Sequence, residues 1–254
     1  MVKGLDLFRE HFRGYTDRYL LIGGTACDLA MDEVGLEFRA TKDLDIVLSI
    51  EALDKEFVEA FWTFIRDGKY KVQEKSTGGK QYYRFQKPET EGYPFMLELF
   101  SRKPDVLSLY DDSHLTPIPV GKDVSSLSAI LLSDDYYDFL CAGRRESDGL
   151  AFVGAEHLVP LKARAWLDLS ERKSRGEDVD NRSIRNHKND VFRLYRILSP
   201  GFDADVPDNV KDDMREFLSC MEEEEIDFKA LGLGIMDRQS VLADIRKIYA
   251  IAEA

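Results

Sequence analysis

Residues 19–49 read YLLIGGTACDLAMDEVGLEFRATKDLDIVLS, and the fold of the chain turns on them. An apolar run from Tyr19 to Ile22 stops at Gly23 and Gly24, and a second run, Leu44 to Ile50, is entered through Asp43 and carries Asp45. Glycines at a strand's end let the backbone approach a ligand, because no Cβ stands in the way. Thr25 to Met31 then reads as a helix whose first turn Thr25 can cap, with free N–H groups that favour an anion. Aspartates two apart on a strand point to the same face. Asp43, Asp45 and Val47 therefore share one face, and Leu44, Ile46 and Leu48 supply the core from the other. Two aspartates at a strand entrance can simply be solvated. Next to an anion-binding turn, they suggest a place for phosphate and metal.

Working outward, Leu5 to Phe12 has the pattern of a short amphipathic helix. Glu51 to Asp67 carries Leu53, Phe57, Phe61, Phe64 and Ile65 at helical spacing and closes at Gly68. Tyr70–Gln73, Gln81–Gln86 and Phe95–Phe100 read as strands, the first two separated by the turn signal STGGK. In FMLELF, alternation puts Met96, Glu98 and Phe100 on one face, which forces a carboxylate onto an otherwise apolar strand. Short strands are expected at Pro117–Val120, Ala129–Leu132 and Leu150–Val153, with DDSHLTPIP and GRRESDG as loops. The period then becomes helical over Leu158–Leu169, Ser183–Leu198, Asp208–Met221 and Arg238–Ala252, with SERKSRGEDVDN as an exposed connection. The expectation is an α/β (α+β) fold: a small mixed sheet flanked by helices over residues 1–154, and a helical domain over 155–254 that packs on the cleft.

A chain of 254 residues with 44% apolar content can build a substantial core. Its net charge of -13 argues against a long nucleic-acid-coating surface and leaves room for local basic patches. The three cysteines, Cys27, Cys141 and Cys220, form no CxxC pair, so neither a disulfide framework nor a zinc ribbon is indicated, and a reducing cytoplasm is expected. With no apolar h-region and no run of membrane-spanning length, neither export nor membrane insertion is expected. The four histidines have no metal-ligand spacing.

Gly23, Gly24 and Thr25, then TKDLDIVL, then MLELF, resemble the polymerase-beta-like nucleotidyltransferase superfamily: a strand ending in Gly-Gly or Gly-Ser, a strand bearing Asp-x-Asp, and a third acid on a later strand. The resemblance implies that Gly23, Gly24 and Thr25, with Lys42 beside them, hold the triphosphate, and that Asp43, Asp45 and Glu98 bind two Mg²⁺ or Mn²⁺ ions. Eighteen residues separate Gly24 from Asp43, more than the superfamily pattern has, which implies an inserted turn around DEVGLEFRA.

EHLVPLKARAWLDLSER followed by NHKNDVFRL is similar to the later motifs of AbiEii-type proteins, nucleotidyltransferase-like toxins of type IV toxin–antitoxin and phage-defence systems that include the MenT toxins. This likeness spans the chain, and its specific parts are the strand motif and the HKND region. It implies that Lys162, Lys188 and Asp190 complete the catalytic site, that an NTP is the substrate, that the acceptor is RNA such as a tRNA 3′ end, and that a cognate antitoxin restrains the protein. Charge patterning agrees in part, since residues 162–196 hold ten Lys/Arg against six Asp/Glu in an otherwise acidic chain. A protein side chain or a small hydroxylated molecule as acceptor, and a nucleotide-binding protein without turnover, are the alternatives.

Overall fold

The computed structural model describes residues 2–49, 51–74, 80–102, 115–117 and 128–252. The turn at residues 76–79, the loop from Asp111 to His114 and residues 118–120 of the expected strand lie outside the described residues. The described residues divide into two compact units, one comprising Met1–Leu29 and Arg39–Val153, the other Ala30–Phe38 and Gly154–Ala254. Residues 32–38 of the segment expected as an inserted turn are thus counted with the helices, and Arg39 and Ala40 with the sheet.

The first unit is a mixed sheet with helices. Its central strands are β1 (Tyr19–Ile22), β2 (Asp43–Leu48) and β5 (Met96–Ser101), and β3 (Lys71–Glu74) and β4 (Lys80–Gln86) extend one side. β6 (Leu115–Pro117), β7 (Ser128–Leu131), β8 (Arg144–Ser147) and β9 (Leu150–Val153) complete it. The order runs β3-β4-β5-β2-β1-β9-β8, with β7 also paired to β5 and to β6. β2 is antiparallel to β1 and parallel to β5, while β1 is parallel to β9. All four residues of β1 are buried, as expected of an interior strand covered on both faces.

Two helices owe their form to aromatic spacing. α1 (Leu5–Phe12) buries Leu5, Phe8 and Phe12, and α3 (Lys55–Asp67) buries Phe57, Val58, Phe61, Phe64 and Ile65. Phe12 meets Tyr19, Phe57, Phe61 and Phe64 at ring-centroid distances of 5.4–6.2 Å, tilted or edge-on, as aromatic quadrupoles favour. The helix α3 begins four residues later than expected because Asp54 caps it, accepting from Phe57 N at 2.8 Å, and Arg18 Nη2 holds the other Asp54 oxygen at 2.7 Å.

Two elements correct the sequence reading. GRRESDG is the outer strand β8 and a tight turn into β9, with Asp148 at φ 49° and Gly149 at φ 73°, both left-handed as a two-residue hairpin turn requires. In addition, α4 (Asp134–Ala142) forms where no element was expected, capped by Ser133 and burying Tyr136, Tyr137, Phe139 and Leu140.

The second unit contains α5 (Ala155–Ser174), α6 (Asn181–Tyr195), α7 (Asp208–Cys220) and α8 (Arg238–Ile248). α5 runs into the stretch expected as a loose connection, leaving only residues 175–180 to link it to α6. Pro160 lies inside α5 and has no N–H to give the Glu156 carbonyl, four residues back. The fully buried Tyr249 fills the gap: its hydroxyl donates to Glu156 O at 2.7 Å. Trp166, Phe192, Phe217 and Phe228 make the aromatic core of this unit.

Candidate functional site

β1 passes directly into α2 (Gly23–Asp32), and Gly23, left-handed at φ +65°, is the residue on which the chain turns from strand to helix. The first turn of α2 lies against the segment that carries the acids. Gly23 has φ +65°, and a Cβ there would fall on the Asp45 carboxylate; a Cβ on Gly24 would come within 2.6 Å of Thr41 Oγ1. Thr25 is fully buried, and its hydroxyl donates to the Asp43 carbonyl at 2.9 Å. It ties the helix to β2 and does not cap its own helix, which corrects the expectation. The two glycines are needed first to admit a neighbouring strand.

Register sets the acids. Asp45 pairs with Ile22 on one side and with Glu98 on the other, and Glu98 pairs with Arg84. Directly paired residues on neighbouring strands share a face, so Arg84, Glu98 and Asp45 form a row across β4, β5 and β2, with Asp43 two residues along on that face. A row of carboxylates beside the start of a helix is electrostatically reasonable, because the helix N-terminus carries partial positive charge.

The three acids are in different states. Asp43 Oδ1 is buried and has no hydrogen-bond partner. Burial pushes the Asp43 carboxyl above its ordinary range, opposed by the charges of Lys42 and Arg84. Glu98, only 9% exposed, is bound by Arg84, whose Nε donates to Oε1 at 2.6 Å. Arg84 therefore explains how the strand accommodates Glu98, and sequence reasoning did not include it. Its signal was present: an arginine on the strand next to a lone acid.

Among the described residues, no three His, Cys, Asp or Glu side chains already converge on a metal position. The donor chemistry nevertheless fits a hard cation: Asp43 presents an unsatisfied buried oxygen, Asp45 lies on the same face, and Glu98 is one strand away but compensated by Arg84. Lys42 is exposed and lines a cavity of about 480 Å³ with Lys3, Lys87 and Tyr93.

In the helical unit, Lys162 and Asp190 form a buried ion pair at 3.3 Å, with side chains 4% and 0% exposed, and Arg193 also reaches Asp190 at 3.1 Å. Lys188 does not join them. Two residues apart on α6, Lys188 and Asp190 are rotated by about 200°, so they cannot act as a pair on one face. Lys188 Nζ instead donates to Glu224 and, at 2.8 Å, to the Glu225 carbonyl.

No helix among the described residues is long and apolar enough to cross a membrane. No family model and no curated protein matches the chain. Two solved structures are similar across nearly its whole length. One is JHP933 from Helicobacter pylori, at 15% identity and TM-score 0.42, covering 98% of this chain and 90% of that one. The other is a candidate nucleotidyltransferase from H. pylori, at 15% identity and TM-score 0.43, covering 99% and 97%. Similarity this loose does not carry a function from one protein to another.

Proposed function

We propose that the protein is a metal-dependent nucleotidyltransferase that moves a nucleoside monophosphate from an NTP to a hydroxyl acceptor. The observation that carries this reading is the placement of Asp43, Asp45 and Glu98 on one face of adjacent strands, with Asp45 against the first residue of α2. Asp43 and Asp45, with Glu98, are the residues that would hold Mg²⁺ or Mn²⁺. Such ions would supply Lewis-acid chemistry there, offsetting phosphate charge, lowering the pKa of the attacking hydroxyl and stabilising the pyrophosphate leaving group.

The chain's own residues do the rest. The Gly23, Gly24 and Thr25 backbone at the start of α2 favours the triphosphate oxygens, and Lys42 supplies a nearby positive charge. Asp43, unsatisfied and charged above its raised pKa, attracts the cations that accompany a nucleotide. The buried Lys162–Asp190 pair positions its helices. By the resemblance in the sequence, the acceptor is RNA, such as a tRNA 3′ end, the outcome is growth inhibition, and an antitoxin is the partner.

The binding of Glu98 by Arg84 favours a second reading, in which the chain binds nucleotide without turnover. One experiment separates the two. Purified protein is incubated with each labelled NTP, Mg²⁺ and total tRNA, and compared with Asp43→Ala/Asp45→Ala for labelled RNA, labelled protein and pyrophosphate. Metal-dependent label on RNA that disappears in the variant supports the transferase with an RNA acceptor; label on protein moves the acceptor. Nucleotide binding with no label and no pyrophosphate selects the second reading.

A further inference from the structure

A cavity of about 520 Å³ opens in the helical unit between the last turns of α5 and the first turns of α6. Its walls are one stripe of each helix. Ser170, Lys173 and Ser174 recur at i, i+3 and i+4 on α5, and Asn181, Arg185 and Lys188 at i, i+4 and i+7 on α6. Three cations, two hydroxyls and an amide thus face one space, with Glu224 as the acid in the lining.

The cations differ in how they are held. Lys188 is buried and fixed between Glu224 and the Glu225 carbonyl. Lys173 and Arg185 are exposed and make no ion pair among the described residues. In a chain of net charge -13, two such cations beside a third, flanked by neutral donors, leave an excess of positive charge that the protein itself does not satisfy. Arginine and lysine with hydroxyl and amide donors are the groups that hold phosphate oxygens, and the cavity is larger than one phosphate requires.

We infer that this groove holds the phosphate groups of a polynucleotide strand. Lys173 and Arg185 neutralise the backbone, with Lys188 beside them, and Ser170 and Asn181 donate to its oxygens, while the Ser174 hydroxyl is held by the Glu171 carbonyl at 2.7 Å. Sequence is not read here, because these groups meet phosphate rather than base edges. The inference deepens the transferase reading by giving a nucleic-acid acceptor a place to dock, and it rests on that reading only for the purpose of the docking.

The test is the salt dependence of binding of a labelled single-stranded RNA oligonucleotide to the full chain, followed by anisotropy. For Lys173→Gln/Arg185→Gln, affinity at low salt is expected to fall about tenfold or more, and the slope of log affinity against log salt to become shallower by about 1.4, the loss of two phosphate contacts. Both residues are exposed, so the variant should fold, which circular dichroism checks. Glu224→Gln is expected to move the other way, tightening binding by freeing Lys188. Unchanged affinity and slope in the double variant overturn the inference, and so does a groove that binds tripolyphosphate but ignores RNA. The Asp43→Ala/Asp45→Ala protein keeps the two readings apart: if it and the wild type bind RNA equally, and the wild type transfers no label, the groove stands and the transferase reading falls.

Discussion

Asp45 occupies the space that a side chain on Gly23 would need. The relationship joins the end of β1 to the middle of the acid-bearing strand, and it makes glycine necessary twice, for room and for φ +65°. Gly35, at φ +70° with nothing within 4 Å of where a Cβ would stand, needs glycine for its backbone alone. Gly35→Ala should cost about 1 kcal/mol, and Gly23→Ala about 2 kcal/mol or more, since Asp45 must also move. Urea denaturation of both variants measures the difference. Equal losses would show that Asp45 yields freely.

Asp43 should cost the metal-free protein stability. Removing the charge of its buried oxygen with Asp43→Asn is expected to raise stability near neutral pH by about 1 kcal/mol, or 2–4 °C in Tm, while abolishing transfer. The sign follows from the raised carboxyl pKa. The native state binds the proton more tightly than the unfolded chain, so stability falls as pH rises from the ordinary carboxylate range through the raised value. The advantage of the variant should therefore shrink on acidification. A constant advantage across pH would mean that ionisation of Asp43 is not its source.

Arg84→Met leaves the Glu98 carboxylate without its partner at a nearly buried position, for a loss of about 3 kcal/mol. If Glu98 is a metal ligand, Mg²⁺ should raise the Tm of this variant more than that of the wild type. A calorimetric scan with and without Mg²⁺ decides it, and an equal response in both proteins removes Glu98 from the metal set.

Tyr249 and Pro160 form a testable pair. Tyr249→Phe deprives the Glu156 carbonyl of its donor and should cost about 1–3 kcal/mol. Pro160→Ala restores a backbone N–H four residues on, so the double variant should lose less than Tyr249→Phe alone loses from the wild type. A double-mutant cycle by chemical denaturation gives the coupling, and strict additivity would contradict the replacement of one donor by the other.

Asp190→Leu should cost about 3–5 kcal/mol, because the buried Lys162 ammonium loses its carboxylate, whereas Lys162→Met should cost less, because Arg193 still reaches Asp190. Lys162→Met/Asp190→Leu should regain much of that loss. Transfer activity of the refolded double variant then separates roles: retained activity assigns the pair to structure, and a folded but inactive protein assigns it to catalysis.

The strands that carry the acids were legible because both signals are strong: a hydrophobic run broken by paired glycines, and alternation that fixes Asp43 and Asp45 to one face. The parallel pairing of β2 with β5 was not legible, since register between distant segments depends on contacts that no local pattern records. β8 was missed because its charges suit an outer strand and mimic a loop, although Asp148-Gly149 was a hairpin signal. α4 was missed because its run of aromatic and acidic residues has weak helix propensity, and burial of Tyr136, Tyr137, Phe139 and Leu140 outweighs it. In the helical half, the structure brings Lys162 and Asp190 together, while Lys188 and Asp190, close in sequence, turn to different sides of α6, which is a matter of helix geometry and not of residue type.

A sheet that ends in an open row of backbone donors and acceptors is a template for any passing strand. Here β8 is the outermost strand of its side of the described sheet, and it exposes Arg145 and Glu146 to solvent. A second strand could add there only by stripping water from those charges. The charged sequence that hid this strand from prediction is thus also its protection against aggregation, and replacing both residues with valine would turn a soluble edge into a sticky one.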